Sequence, residues 1–243
     1  MRRIPPRHTL PPLTSARLGA ETAAITASAD PIGEASLRYG KARKAAWFKQ
    51  VIRTLGIMSG VGERCMYCSG SESAQVEHYR PKTNHPHVAL DWANLLWICG
   101  ICNQAKGNRF ENSNPPVNPV DEDVWSYFFI DQFGNLTPRW NVALNSLDPR
   151  AVRTIELHNL DRQALQECRQ ERLIDLRNKI EDSLALFNGG QLTLEDLESR
   201  TLAWLEQPFQ PDVADYFFAG PGLDDANEPF KKFVDVLTGL AQT

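Results

Sequence analysis

Apolar positions recur along this chain in several registers, and each register predicts an element. Between Glu34 and Leu55, residues Leu37, Trp47, Val51, Ile52 and Leu55 fall on one helical face. Arg38, Lys41, Arg43, Lys44, Lys49 and Arg53 fall on another, so the pattern predicts one basic amphipathic helix whose start Gly40 weakens. Ala74 to Tyr79 reads as a short strand, Thr83 to Val88 as a loop, and Trp92 to Trp97 as the approach to a turn. A short helix should run from Cys102 to about Asn108, with Gly107 near its end. Trp125 to Ile130 and the residues after Asp131 predict a β-hairpin turning at Gly134-Asn135.

Beyond the hairpin the period becomes helical. Asp148-Pro149 is a cap followed by a favoured first residue, opening a helix to His158. Asp161 could cap a longer one carrying Leu165, Leu173, Leu176, Ile180, Leu184 and Phe187, which Gly189-Gly190 would stop. Thr193 with Asp196 resembles a capping box for a helix to about Gln207, and a last helix should cover Glu228 to Leu240. Residues 1–33 show no period and read as an extended, Pro- and Arg-rich arm. The fold class expected is therefore α+β, predominantly helical.

Charge changes this picture by dividing the chain. The net charge is −4, yet residues 1–60 carry ten Lys/Arg against three Asp/Glu, while residues 111–243 carry eleven against twenty-three. Attraction for a polyanion would come from the first third, and the acidic remainder suits solvent or a protein partner. No apolar run is long enough to span a bilayer, and the start of the chain lacks the apolar core of a secretion signal. The five cysteines are two close pairs plus Cys168, which does not suit a disulfide framework, so a reducing cytoplasmic setting is expected.

Cysteine spacing carries the chemistry. Cys65-x-x-Cys68 and Cys99-x-x-Cys102 offer four thiolates to one tetrahedral zinc, a closed set that is structural rather than catalytic. Thirty residues separate the pairs, more than a zinc ribbon needs. The insert contains Glu77-His78-Tyr79-Arg80-Pro81-Lys82 and Asp91-Trp92-Ala93-Asn94-Leu95-Leu96-Trp97, and the second pair runs into Asn103-Gln104-Ala105-Lys106-Gly107-Asn108-Arg109. A redox dithiol or an iron–sulfur site fits this arrangement less well.

That order of cysteine pair, acid-His, Asn-Leu-Leu and cysteine pair followed by Asn-x-x-Lys resembles the HNH endonucleases of the four-cysteine kind. The resemblance implies a ββα-metal core around one catalytic divalent cation, with His78, Asn94 and Asn103 at the namesake positions, Asn103 departing from the more usual His. His78 titrates near neutrality and suits a general base. Glu77 and Asn103 offer oxygen ligands that favour Mg²⁺ or Mn²⁺ over zinc. By resemblance Asn94 braces the loop holding His78, and Arg80, Lys82, Lys106 and Arg109 contact phosphate. Since neighbours in a strand face opposite ways, convergence of Glu77 and His78 on one metal predicts a bulge or a strand end at this dipeptide.

Further likeness, loosely from Ala46 to Arg177, includes Asn118-Pro119, Phe129-Ile130-Asp131 and Glu156 to Arg162. It is similar to the bacterial anti-phage HNH proteins of the Septu PtuB type, including retron-associated ones. This implies a nuclease acting on DNA or RNA with an ABC-type ATPase partner. The expected organisation is then an arm (1–33), a basic helix (34–60), the HNH core with its hairpin (61–140) and an acidic, partner-binding helical region (141–243). A non-catalytic zinc module binding nucleic acid or protein, or a zinc-containing redox protein, are the alternatives. His85 and His87 flank Pro86 and read as loop residues, His158 as a helix-end residue suited to the helix dipole, and Cys168 receives no role.

Overall fold

In the computed structural model, the described residues are 4–60, 62–70, 74–205 and 213. The last helix expected from the sequence, Glu228 to Leu240, lies outside them. The fold is α+β, with seven helices among these residues and three two-stranded antiparallel sheets.

The expected arm is largely helical. Helix α1 spans Pro12–Thr26, with Pro12 at the first position, where a missing N–H costs nothing. Only Thr14, Leu18 and Ile25 are buried, and so thin a stripe among alanines and threonines carries little periodic signal. The single basic helix expected next is two helices, α2 (Pro31–Ala42) and α3 (Phe48–Met58). Tyr39 and Phe48, nine residues apart, would stand about half a turn from each other on a continuous helix. The break at 43–47 brings their rings to 6.0 Å, edge to face, against the central sheet. Asp30 caps α2 by accepting a hydrogen bond from Gly33 N–H.

A turn holding Cys65 and Cys68 leads into β1 (Ala74–His78), which pairs antiparallel with β2 (Leu95–Cys99) from Ala74↔Cys99 to His78↔Leu95. Every residue of β2 is buried, as its continuous apolar run requires, and the chain passes directly into α4 (Gly100–Lys106). Gly107, at φ +54°, ends that helix. Strands β1 and β2 with α4 form a ββα unit, covered by α3 on one side and by α5 (Pro149–His158) on the other.

The hairpin turning at Gly134-Asn135 is present as β3 (Phe128–Ile130) and β4 (Leu136–Pro138), and a second small hairpin follows, β5 (Trp140–Asn141) with β6 (Ser146–Leu147). Asp148 caps α5 through Arg150 and Ala151 N–H. Helix α6 (Gln163–Asn188) begins after Arg162 rather than at the expected Asp161 cap, and ends at Gly189. Thr193 and Asp196 form the reciprocal cap of α7 (Leu194–Leu205). No helix among the described residues is long and apolar enough to cross a membrane.

Gly134 locks the first hairpin onto α6. It has φ +81°, and a Cβ there would lie 2.4 Å from the Gln166 carbonyl oxygen and 2.7 Å from the Gln170 nitrogen. Gly134→Ala therefore combines left-handed strain with a backbone clash and is expected to cost about 2 to 3 kcal/mol, measured as a lower urea midpoint at unchanged slope.

Candidate metal and nuclease site

The four paired cysteines meet. Cys65, Cys68, Cys99 and Cys102 are all buried, and their sulfurs lie within 4.8 Å of one another. Cys68 Sγ and Cys99 Sγ are 3.6 Å apart. A zinc–sulfur bond of about 2.3 Å gives a tetrahedron with edges of about 3.8 Å, so the donor set fits zinc. Backbone N–H groups of Cys68, Gly70 and Cys102 point at Cys65, Cys68 and Cys99 sulfurs respectively. Hydrogen bonding with Cys102 holds the Cys68 and Cys99 thiols down, whereas burial pushes Cys65 up. Zinc binding would require all four as thiolates.

Two clasps tie this cluster to the rest of the fold. Met66 N–H donates to the Trp97 carbonyl at 2.9 Å, joining the first knuckle to β2. Tyr67 stacks on His158 with ring centroids 3.6 Å apart and an interplanar angle of 19°. His158 ends α5, as its sequence position suggests, but the dipole argument fails. It is fully buried, and burial pushes its pKa to about 3, so it packs as a neutral ring. Sequence reasoning missed this role because a helix-end histidine looks the same whether its last turn faces solvent or a zinc knuckle.

His78 is the last residue of β1 and is buried. Its Nε2 lies 2.9 Å from the Ala89 carbonyl oxygen, which can only accept, so Nε2 carries the proton and Nδ1 the lone pair. Tyr39 packs edge-on against the imidazole at 4.5 Å and donates its hydroxyl hydrogen to the Val76 carbonyl. Titration near neutrality, expected from the sequence, does not hold: burial, helped by the Lys82 charge, lowers the His78 pKa to about 4 against the opposing pull of the Ala89 carbonyl, and the ring is neutral at pH 7.

Asn94 closes the loop between His78 and β2. Its side-chain oxygen accepts from Arg80 N–H at 2.8 Å, and its amide donates to the Arg80 and Val88 carbonyls, each at 3.0 Å. Tyr79 N–H donates to the Asn94 carbonyl at 2.8 Å. Asn94 is thus buried among backbone groups of the segment that carries Ala89.

Glu77 and His78 leave the strand on opposite sides. Their pairing, Glu77↔Leu96 and His78↔Leu95, stays in continuous register without a bulge, and the strand end falls at His78. Glu77 faces α4, where Lys106 Nζ donates to Glu77 Oε1 and to the His78 carbonyl, both at 2.7 Å. Lys106 is 1% exposed, so it does not present the phosphate contact expected of it, and its ammonium braces the dipeptide from beneath. Asn103 is half-buried one turn earlier on α4, on the Lys106 side. Arg80 is exposed, and Lys82 lies over the Tyr39 ring at 5.7 Å. Arg109 is exposed and folds back onto the Ala105 and Lys106 carbonyls. His85 and His87 lie in the loop, His85 against Phe110.

A ββα unit clamped by four clustered cysteines, with a buried His at the end of its first strand, defines a class of protein. Residues 65–109 match the family model of the HNH endonucleases. Over 126 residues the chain is 29% identical to the Septu protein PtuB of Bacillus thuringiensis, a match spanning 49% of this chain and 45% of that protein. The chain thus aligns with a little under half the length of this relative.

Zinc content tests the cluster directly. Elemental analysis should find one zinc per chain, and stripping it should make Cys65, Cys68, Cys99 and Cys102 titratable while lowering the melting temperature. In small zinc peptides such binding supplies about 10 to 16 kcal/mol of folding energy. Intact melting after complete metal removal would show that the sulfurs do not hold a structural ion.

Proposed function

We propose that this chain is a metal-dependent HNH endonuclease that hydrolyses phosphodiester bonds in nucleic acid. The observation that carries the reading is His78, a buried neutral imidazole with one nitrogen tied to a carbonyl and the other holding a lone pair. Such a ring can take a proton from water at pH 7.

Glu77 and Asn103 would hold the catalytic Mg²⁺ or Mn²⁺ through oxygen atoms, and this ion would supply Lewis-acid stabilisation of charge on the phosphate and leaving oxygen. Lys106 engages Glu77 Oε1, and an ionised carboxylate has further lone pairs for a cation. Lys106 then acts by orienting Glu77, while Arg80, Lys82 and Arg109 meet phosphate. Asn94 keeps the Arg80–Val88 segment closed, so that the Ala89 carbonyl stays beside His78. The buried Lys106–Glu77 pair also favours a second reading, a non-catalytic zinc module that binds nucleic acid or protein, because a paired carboxylate is satisfied without a metal.

The likeness to PtuB extends the proposal to bacterial anti-phage defence in the cytoplasm, as the nuclease effector working with an ABC-type ATPase. The acidic helical region, residues 141–243, is the proposed surface for that partner, and residues 61–140 are the proposed nuclease core.

Incubation with duplex DNA, single-stranded DNA and tRNA in Mg²⁺, with and without the ATPase, tests the enzyme. His78→Ala should lose about a hundred- to ten-thousandfold in rate while keeping its zinc. Wild-type cleavage of none of these substrates would favour the binding module. Co-elution with the ATPase on size exclusion is expected, and separate elution counts against the partnership.

A further inference from the structure

The loop that orients His78 is held from outside the HNH segment by the start of the chain. Arg7 donates through Nη1 to the Trp92 and Leu95 carbonyls at 2.8 and 2.9 Å, and through Nη2 to the Ala93 carbonyl at 2.9 Å. Its guanidinium stands 5.3 Å over the Trp92 ring, and Asp121 lies 3.8 Å from its Nε. Trp92 returns a bond, donating its indole N–H to the His8 carbonyl at 3.0 Å. The Arg7 side chain is only 13% exposed, so these contacts are not a solvated surface pairing.

Two of the carbonyls that Arg7 gathers, those of Trp92 and Ala93, belong to the 3-10 turn bearing Asn94, and the third, that of Leu95, opens β2. The Trp92 carbonyl also accepts from Leu95 N–H at the end of the turn, and a planar five-donor fork can reach several such carbonyls at once. From Asn94 the bonds continue to Arg80 and Val88, and the adjacent Ala89 carbonyl fixes the His78 tautomer. Helix α1, following the strap, packs on the turn at Pro86–Val88 from a second direction.

We propose that Arg7 is a positioning residue for His78, and that residues 4–10 form a strap setting the geometry of the proposed nuclease site from outside the HNH motif. The proposal rests on the nuclease reading for its catalytic consequence alone. The strap acts on the free enzyme, so its loss misplaces the base and loosens the same loop's proposed phosphate contacts, Arg80 and Lys82, without removing either.

Arg7→Ala in the full chain should lower kcat on the order of ten- to a hundredfold, a larger change than the rise in KM that the loosened Arg80 and Lys82 contacts bring. Amide exchange over residues 79–95 should speed up about tenfold or more, because the Tyr79 and Arg80 N–H groups both donate to Asn94. Zinc content should not change. Arg7→Lys should fall between, since an ammonium cannot serve three carbonyls in one plane, and it decides the matter if the alanine variant does not fold. Wild-type exchange in residues 79–95 for both variants overturns the strap, whatever kcat does. Faster exchange with wild-type kcat overturns the positioning role. If the wild-type protein cleaves nothing, the nuclease reading fails and the exchange result alone decides whether the strap holds the loop.

Discussion

Everything around the candidate site depends on four sulfurs being held together. The two knuckles are separated by thirty residues, and an insert of that size is too small to bury a core of its own. Its single sheet has two strands, an arrangement only marginally stable in water. Pinning both ends of the insert at one point removes most of its loop-closure entropy, and burying β2 under α3 and α4 supplies the rest. The Tyr67–His158 stack extends the same clamp to α5, so the helices after the motif are anchored on the knuckles.

Within that clamp the costliest group is Lys106. Burying an ammonium is unfavourable by several kcal/mol unless it is paired and hydrogen-bonded, and burial accordingly lowers its pKa. Glu77 and the His78 carbonyl together meet that requirement. The consequence is a fixed distance between α4 and β1 at the place where a metal would have to be held from both. A buried pair of this kind contributes more to specifying one arrangement than to stability, because hydrophobic groups of similar size could fill the space at lower cost.

The sequence was most legible where one residue has one local task. Asp148-Pro149, Gly189-Gly190 and the Thr193–Asp196 cap act within a single turn of helix, and all three stand where their chemistry requires. The cysteine pairs were legible for the same reason, since metal spacing is a short-range rule. What could not be read is set by contacts distant in sequence. The break between α2 and α3 exists so that Tyr39 and Phe48 share a face, and only β1, more than twenty residues later, supplies that face. Lys106 reads as a surface cation until Glu77 is seen across from it, and Arg7 lies in a stretch whose composition suggests no order at all.

These long-range contacts converge on backbone carbonyls rather than on side chains. Ala89 fixes His78, Asn94 binds Arg80 and Val88, Arg7 gathers Trp92, Ala93 and Leu95, and Lys106 takes the carbonyl of His78 itself. A main-chain acceptor has no identity in the sequence, so the residues that hold it can be recognised only as donors in search of a partner. The segment from His78 to Leu95 contains one short strand end and two single 3-10 turns, so regular backbone pairing reaches only some of its carbonyls and side-chain donors take others. Asn94 meets part of that need from within the segment, and the long side chains of Arg7 and Lys106 meet the rest from either side of it in the chain. The orientation of one imidazole is therefore a property of the whole N-terminal half rather than of the motif that names it.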